Sequence, residues 1–388
     1  MSATVNTINT IVLAGGGSGG HVFPNIAILE RLRERDATVR PMFLLSQRPL
    51  DRRLAEHDEL PFHALPVRPF SVRPWDWPGF YWAYRRSVSR CRRLFKRLQV
   101  TCVVATGGFV SGPAMAAARR AGIPAALVNL DAAPGRANRF AAGLATTIFS
   151  VYPTPLLPQA RAIGMPLRRS VLGREDPPAA RRALGLDPAR PTLLITGASQ
   201  GAASLNSLMI ELVAHPEIRL ALGGTAGEHP WQIFHLAGSH DLAALTTAYR
   251  AANVPARIEP FCHEMGLACS AASIAITRAG AGSVGEVWAN ATPAIFLPYP
   301  FHRDQHQRLN AAPLTDAGAA ILLQDQADPV ANARTIAPRL LELMTNPAHR
   351  RQMQDKMRAT RPPDGAAAIA DWIIRGRRVP SQPRTASI

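Results

Sequence analysis

Three glycine-rich turns each follow a short apolar run and precede a helical pattern. They are Gly15-Gly-Gly-Ser-Gly-Gly20 after residues 10–14, Gly197-Ala-Ser-Gln-Gly201 after residues 191–196, and Arg278-Ala-Gly-Ala-Gly-Ser283 after a run ending at Thr277. A glycine turn that opens a helix offers backbone N–H groups and the positive end of the helix dipole, about half a charge, to an anion. Phosphate binding is the chemistry such turns suit. A nicotinamide cofactor would also ask for an acid about 20 residues on, at the end of the next strand. That position reads Leu45-Ser46-Gln47-Arg48, with no acid. The third turn leads instead to Glu286, one turn inside its helix. A carboxylate there can accept two hydroxyl hydrogen bonds from a ribose diol while the turn takes phosphates. A glutamate that only complements its helix dipole is the plainer alternative. Phe301-His-Arg-Asp-Gln-His-Gln307 gathers further polar groups after the run ending at Leu297.

The elements that must position these groups alternate along the chain. Apolar runs at residues 39–45, 102–105 and 125–128 are separated by helical stretches such as 113–121, and the second half repeats the pattern at 274–277, 285–290 and 294–297, with a helix near 305–317. Alternation of this kind predicts parallel sheets covered by helices. With 388 residues and 47% hydrophobic composition, two α/β domains are expected and a mostly disordered chain is excluded. Pro166, Pro177, Pro178 and Pro188 place the boundary between 164 and 190. The expected division is 1–166 and 167–364, with a helix at 365–378 packing back on the first domain and a disordered tail at 379–388.

The charge is +17, from 44 Lys plus Arg against 27 Asp plus Glu, and only Lys96 and Lys356 are lysines. Such a balance admits nucleic acid, an anionic membrane or phosphorylated substrates as partners. Cys91, Cys102, Cys262 and Cys269 lack metal-like or redox spacing, which predicts a reduced, cytoplasmic chain. Neither a signal peptide nor a spanning helix is expected, since the uncharged part of 140–160 is broken by Pro153, Pro155 and Pro158.

Six motifs then stand in a revealing order: Gly16-Gly-Ser-Gly-Gly-His-Val-Phe-Pro24, Gly107-Gly-Phe-Val-Ser-Gly-Pro113, Pro134-Gly-Arg-Ala-Asn138, Ala198-Ser-Gln-Gly-Ala202, Arg278-Ala-Gly-Ala281 with Glu286, and His306-Gln307 with Asn310-Ala311. From residue 11 to 323 the chain resembles the MurG-type glycosyltransferases, which add N-acetylglucosamine (GlcNAc) to a lipid-linked muramoyl-pentapeptide. The resemblance implies a GT-B fold, two Rossmann-like doubly wound domains facing a cleft. It implies inverting transfer of GlcNAc from UDP-GlcNAc to undecaprenyl-diphospho-MurNAc-pentapeptide in peptidoglycan synthesis, with the donor mostly on the second domain and no obligatory metal or other cofactor. By the same carry-over Glu286 holds the ribose, and Ser199, Gln200, Gly201 and Ser283 lie near the donor diphosphate. Arg168 helps bind the nucleotide, Cys262 lines the uracil pocket, and His306 and Gln307 contact the donor sugar. Gly17, Ser18, Gly19 and Gly20, with Gly107 and Gly108, form the loop for the acceptor diphosphate.

His21 is expected near the reacting centre, as general base for the acceptor hydroxyl or as a ligand of the acceptor diphosphate, imidazole being tuned near neutral pH for proton transfer. A histidine that caps the first helical turn is the alternative. The chain departs from the family where His-Glu-Gln-Asn is replaced by Val128-Asn129-Leu130-Asp131, so Asp131 is a second candidate base or hydrogen-bond acceptor. Phe109 and Met165 replace polar Tyr and Asn.

Between Arg68 and Arg97 nine basic residues and one acid, Asp76, are interleaved with Trp75, Trp77, Phe80, Tyr81, Trp82 and Tyr84. With Arg85 and Arg86 this reads as a patch for the anionic inner leaflet, each Arg near such a surface being worth about 1 kcal/mol before screening. A solvated helix face with aromatics in the core is the alternative. No nucleic-acid motif accompanies the patch. The expected location is the cytoplasmic face of the inner membrane, as a peripheral enzyme. Rival functions are a GT-B transferase with another acceptor, a UDP-sugar 2-epimerase, and a non-catalytic basic binding protein.

Overall fold

The computed structural model describes residues 9–17, 19–69, 73–173, 176–197, 203–223, 230–239, 241–301 and 304–378. The chain divides into two compact units. One holds Met1–Leu130, Pro134–Arg168 and Pro363–Ile388, the other Asp131–Ala133 and Arg169–Pro362.

Among the described residues the first unit has seven strands: β1 (Thr10–Gly15), β2 (Arg40–Ser46), β3 (Phe62–Leu65), β4 (Val100–Gly107), β5 (Ala125–Asn129), β6 (Thr147–Ser150) and β7 (Arg161–Ala162). They run parallel in the order β3-β2-β1-β4-β5-β6-β7. The second unit has β8 (Thr192–Thr196), β9 (Gln232–Leu236), β10 (Ala256–Glu259), β11 (Ala272–Thr277), β12 (Ala294–Phe296) and β13 (Ile321–Leu322). These are parallel in the order β10-β9-β8-β11-β12-β13. In both sheets the winding reverses beside the first strand, between β1 and β4 and between β8 and β11. A doubly wound sheet binds its ligand outside the carboxyl ends at that switch point, and the described parts of the first and third glycine turns follow β1 and β11 there.

The residues account for the layers. β1 is buried along its whole length, as a strand covered on both faces requires. In β8, β11 and β12 alternate side chains enter different cores. Leu193, Ile195, Ile274, Ile276 and Ile295 pack on one face of the sheet, and Leu194, Ala275, Ala294 and Phe296 on the other, the period-two rule at work. β9 breaks the apolar pattern because it buries Gln232 and His235 with full sets of partners. His235 is held between the Tyr249 hydroxyl (2.7 Å) and Asn206 (3.1 Å), and burial brings its pKa down to about 3.

The first unit extends two residues beyond the expected 166/167 boundary. The Arg31 guanidinium, 1% exposed, donates to the Leu167 carbonyl at 3.0 Å and to Asp364 at 2.7 Å, fixing both segments to the helix Gly19–Arg35. The last helix, Gly365–Arg378, buries Ala366, Ile369, Ala370 and Ile373. Its Asp371 pairs with Arg35 at 2.6 Å, and Trp372 meets Phe149 edge-on, with ring centroids 6.0 Å apart. The tail 379–388 lies outside the described residues.

Candidate functional site

In the first unit the site is built at the ends of β1 and β4. These strands pair Ala14 with Ala105 and Gly15 with Gly107, so Thr106 is an extra residue in the ladder. The bulge turns its hydroxyl inward, where it donates to the His21 carbonyl at 2.6 Å and accepts from the Asn25 amide at 3.0 Å. Thr106 and Asn25 are fully buried and hold the first turn of the helix Gly19–Arg35 in place. The His21 imidazole lies directly over Gly107. A Cβ there would sit 2.7 Å from His21 Cδ2 and 3.3 Å from Asn138 Oδ1, and the backbone has φ of 121°, so only glycine serves. Asn138 in turn donates to Asn129, whose amide reaches Ser150, each at 3.0 Å.

The first glycine loop is braced from below. Asp51, fully buried, accepts the Gly17 N–H at 2.8 Å and the Ser46 N–H at 3.0 Å. The Gly17 carbonyl accepts from Arg48 at 3.0 Å, and that guanidinium lies over the Phe109 ring at 5.1 Å. The Gly17 N–H is therefore engaged within the fold. The groups with no intrahelical partner at the helix start, beginning at Gly19 and Gly20, are the ones suited to an anion. Ser18 lies outside the described residues. Sequence reasoning missed Asp51, Thr106 and Asn25, which carry no motif of their own.

Arg168, expected on the nucleotide side of the second domain, belongs to the first unit. Its guanidinium stacks on Phe23, two residues past His21, at 4.0 Å, which is what holds it there. Its buried Nε has no hydrogen-bond partner among the described residues.

Among the described residues the second unit places its groups after β10, β11 and β12. Ser199, Gln200 and Gly201 lie outside the described residues. Beyond β11, Gly280 caps the helix Ala281–Asn290, and a Cβ on Gly280 or Gly282 would meet no described atom within 4 Å. Ser283 is buried in its first turn and Glu286 half-buried in its second. The Cys269 thiol is pushed up chiefly by burial and then by Glu286 and Cys262, so both groups lie within electrostatic reach of it. Burial also raises Cys262, which is half-buried after β10.

Arg278 locks the turn. It is 7% exposed beside Asp325 at 3%, paired at 2.8 Å. It donates to the Leu297 carbonyl at 2.7 Å and to the Ser204 hydroxyl, tying the ends of β11 and β12 to the helix Ala203–Ala214. Burial opposes the Asp325 charge, but Asn332, the Ala327 N–H and Arg278 more than offset this and hold the carboxyl below its ordinary range. The motif containing Arg278 was legible, but not this role.

His306 opens the helix His306–Asp316 with Nδ1 2.7 Å from Asp304. Gln307 Oε1 accepts the Tyr299 N–H at 2.8 Å and lines a cavity of about 420 Å³ with Tyr299, Arg308 and Asp325.

Asp131, expected in the first domain, clusters with the second unit. The reason is Asn310, fully buried, whose amide donates to Asp131 at 3.0 Å while its oxygen accepts from the Ala132 N–H at 2.8 Å. Val128, Asn129 and Leu130, which replace the family's polar motif, are buried. Among the described residues no group of three His, Cys, Asp or Glu forms a metal cluster.

With this geometry in view, comparison with known proteins is decisive. The description "Glycosyltransferase family 28 N-terminal domain" matches residues 11–150, and "Glycosyltransferase family 28 C-terminal domain" matches 192–369. The chain belongs to glycosyltransferase family 28. Each half of the family pattern covers one switch point and its glycine turns, and the two doubly wound units are those of the GT-B fold. A relative from Frankia casuarinae is 33% identical over 390 residues, 98% of this chain and 100% of its own. Another, from Clavibacter michiganensis, is 33% identical and covers 93% of this chain and 95% of its own. Both are named UDP-N-acetylglucosamine–N-acetylmuramyl-(pentapeptide) pyrophosphoryl-undecaprenol N-acetylglucosamine transferase. The crystal structure of Acinetobacter baumannii MurG is similar with a TM-score of 0.73 and 25% identity, covering 95% of this chain and 99% of that one.

Proposed function

We propose that this family 28 chain transfers GlcNAc from UDP-GlcNAc to an undecaprenyl-diphospho-linked muramoyl-pentapeptide, making the second lipid-linked precursor of peptidoglycan. The observation that carries the reading is the full-length likeness to transferases of that name, with 98% of this chain aligned to the Frankia relative. A bond forms between the acceptor hydroxyl oxygen and C1 of GlcNAc as the bond from C1 to the UDP oxygen breaks, and the hydroxyl proton passes to His21. UDP departs with a negative charge, which in this reading the start of the helix at Gly280 and Ala281 stabilises.

On the donor side Glu286 accepts the ribose hydroxyls, with Ser283 at the diphosphate and Cys262 at the uracil. Glu286→Ala is expected to weaken UDP-GlcNAc binding by about 1.5 to 3 kcal/mol, the range for charge-assisted hydrogen bonds. Titration calorimetry checks this, and an unchanged affinity removes Glu286 from the donor site.

The chain works at the inner leaflet as a peripheral enzyme in this reading. No helix among the described residues is long and apolar enough to cross a membrane. Trp75, Trp77 and Trp82 are 73%, 50% and 70% exposed, and Arg85 and Arg86 are exposed beside them. Phe80 is half-buried. Large apolar groups so exposed amid arginines suit a membrane interface. Replacing the three tryptophans with Ala is expected to abolish most co-sedimentation with anionic vesicles while UDP-GlcNAc affinity stays unchanged. Equal sedimentation of variant and parent would refute the patch.

A further inference from the structure

The first unit contains a cavity of about 460 Å³, lined almost wholly by apolar groups. Phe80, Tyr81 and Tyr84 of the helix Trp77–Leu98 form one part, Phe109 and Pro113 another, and Phe140 of the helix Arg136–Ala142 a third. Tyr84 and Phe140 meet edge-on with centroids 6.1 Å apart, and Phe140 is 54% exposed. Arg68 and Arg136 also line the cavity, and both are exposed.

Its position in the chain gives the cavity a meaning. Phe109, in its wall, directly follows Gly107 and Gly108, which carry the His21 ring. The same Phe109 ring packs on Gly17, where a Cβ would lie 3.0 Å from it, and beneath Arg48. An anion-binding loop thus continues without a break into an apolar slot bordered by arginines. The ligand that matches this sequence of surfaces has an anionic head joined directly to a hydrocarbon tail.

We infer that the cavity is a binding site for the first isoprene units of a polyprenyl diphosphate, held with its diphosphate at the helix start of Gly19 and Gly20 and the Gly107–Gly108 turn. The inference rests on the proposed acceptor and adds that part of its tail is gripped by protein rather than left in the bilayer. A cavity of about 460 Å³ has the size of a small-ligand site, enough for a few five-carbon units and not for a whole polyprenyl chain.

Gly112 supplies the means of testing it. A Cβ there would stand 3.6 Å from both the Phe140 and Tyr84 rings, an ordinary contact, so a longer side chain would enter the cavity between them. The probes are dimethylallyl, geranyl, farnesyl and geranylgeranyl diphosphates, with one to four isoprene units, bound to the full chain in detergent-free buffer and followed by calorimetry. Affinity is expected to rise at least about tenfold per added unit up to three, since each buried methylene contributes substantially, and then to level off. Gly112→Leu is expected to erase the gain from the second and third units. Ala137→Leu, at a position that also lines the cavity, tests the same point should the first variant fold poorly. Neither substitution is expected to change vesicle co-sedimentation, which reports on the tryptophans. Affinity independent of tail length, or an equal rise with length in parent and variants, would overturn the inference, as would loss of vesicle binding in the variants. These binding data stand apart from turnover. A chain that grips farnesyl diphosphate but releases no UDP with the muramoyl-pentapeptide acceptor would lose the proposed function and keep the site.

Discussion

Removing the His21 imidazole is expected to lower kcat by about 10² to 10⁴-fold, the usual contribution of a positioned general base. UDP-GlcNAc affinity is expected to stay the same, because the proposed donor groups Cys262, Ser283 and Glu286 belong to the other unit. The structure supports this division. His21 lies over Gly107 with no room for a Cβ between them, and its carbonyl is fixed by the buried Thr106 and Asn25. With its backbone fixed and its ring packed against Gly107, the residue needs little reorganisation to take a proton. His21→Gln separates the two roles open to the residue. A glutamine keeps a hydrogen bond to a diphosphate but takes no proton. A base predicts that His21→Gln is as slow as His21→Ala and loses the acid limb of the pH profile of kcat/KM. Recovery of most of the rate by glutamine, with KM for the acceptor rising only in His21→Ala, would make His21 a diphosphate ligand.

Replacing Arg278 with Met is expected to lower unfolding free energy by about 3 to 5 kcal/mol, the cost of leaving a buried charge without its partner. Asp325, 3% exposed, is the charge left behind. The sign of the pH dependence follows from its depressed pKa. A carboxyl whose folded pKa lies below the unfolded value of about 3.9 stabilises the protein above that pH and loses the contribution as pH falls through the folded value. The deficit of Arg278→Met is therefore largest near neutrality and shrinks below about pH 4, where a protonated Asp325 needs no cation. Chemical denaturation at pH 7 and pH 3.5 checks this. The double variant with Asp325→Leu is expected to recover much of the loss. A deficit that does not vary with pH would mean that the Arg278 contacts to Leu297 and Ser204 carry the energy instead.

What was legible in the chain follows from how buried strands and phosphate turns are written. The runs at 10–14, 39–45, 102–105, 125–128, 274–277 and 294–297 fall on β1, β2, β4, β5, β11 and β12, the interior strands whose apolar character comes from cover on both faces. The edge strands β3, β7, β10 and β13 are short and half-exposed or exposed, so no long apolar run marks them. β9 hides its strand character behind Gln232 and His235, which are buried only because distant residues supply their hydrogen bonds. Glycine turns were readable because few residues other than glycine tolerate φ near +121° or a histidine ring at 2.7 Å. The groups that brace those turns were not. Asp51 reaches Gly17 from 34 positions away, and Asn310 reaches Asp131 from 179 positions away. Spacing within a motif carries no trace of either. For the same reason Arg168 and Asp131 each cluster on the other side of the expected boundary, since a stacking ring and a buried amide decide their places.

The central claim concerns a sugar transfer that needs its acceptor, and UDP release tests it most directly. Purified protein is supplied with UDP-GlcNAc, with and without a short-chain undecaprenyl-type diphospho-MurNAc-pentapeptide, and both UDP and the glycan product are measured. The account predicts UDP release that depends on the acceptor, with one disaccharide formed per UDP. Bound UDP-GlcNAc with no UDP above the acceptor-free rate would contradict the assigned acceptor, and UDP formed equally without acceptor would contradict transfer itself.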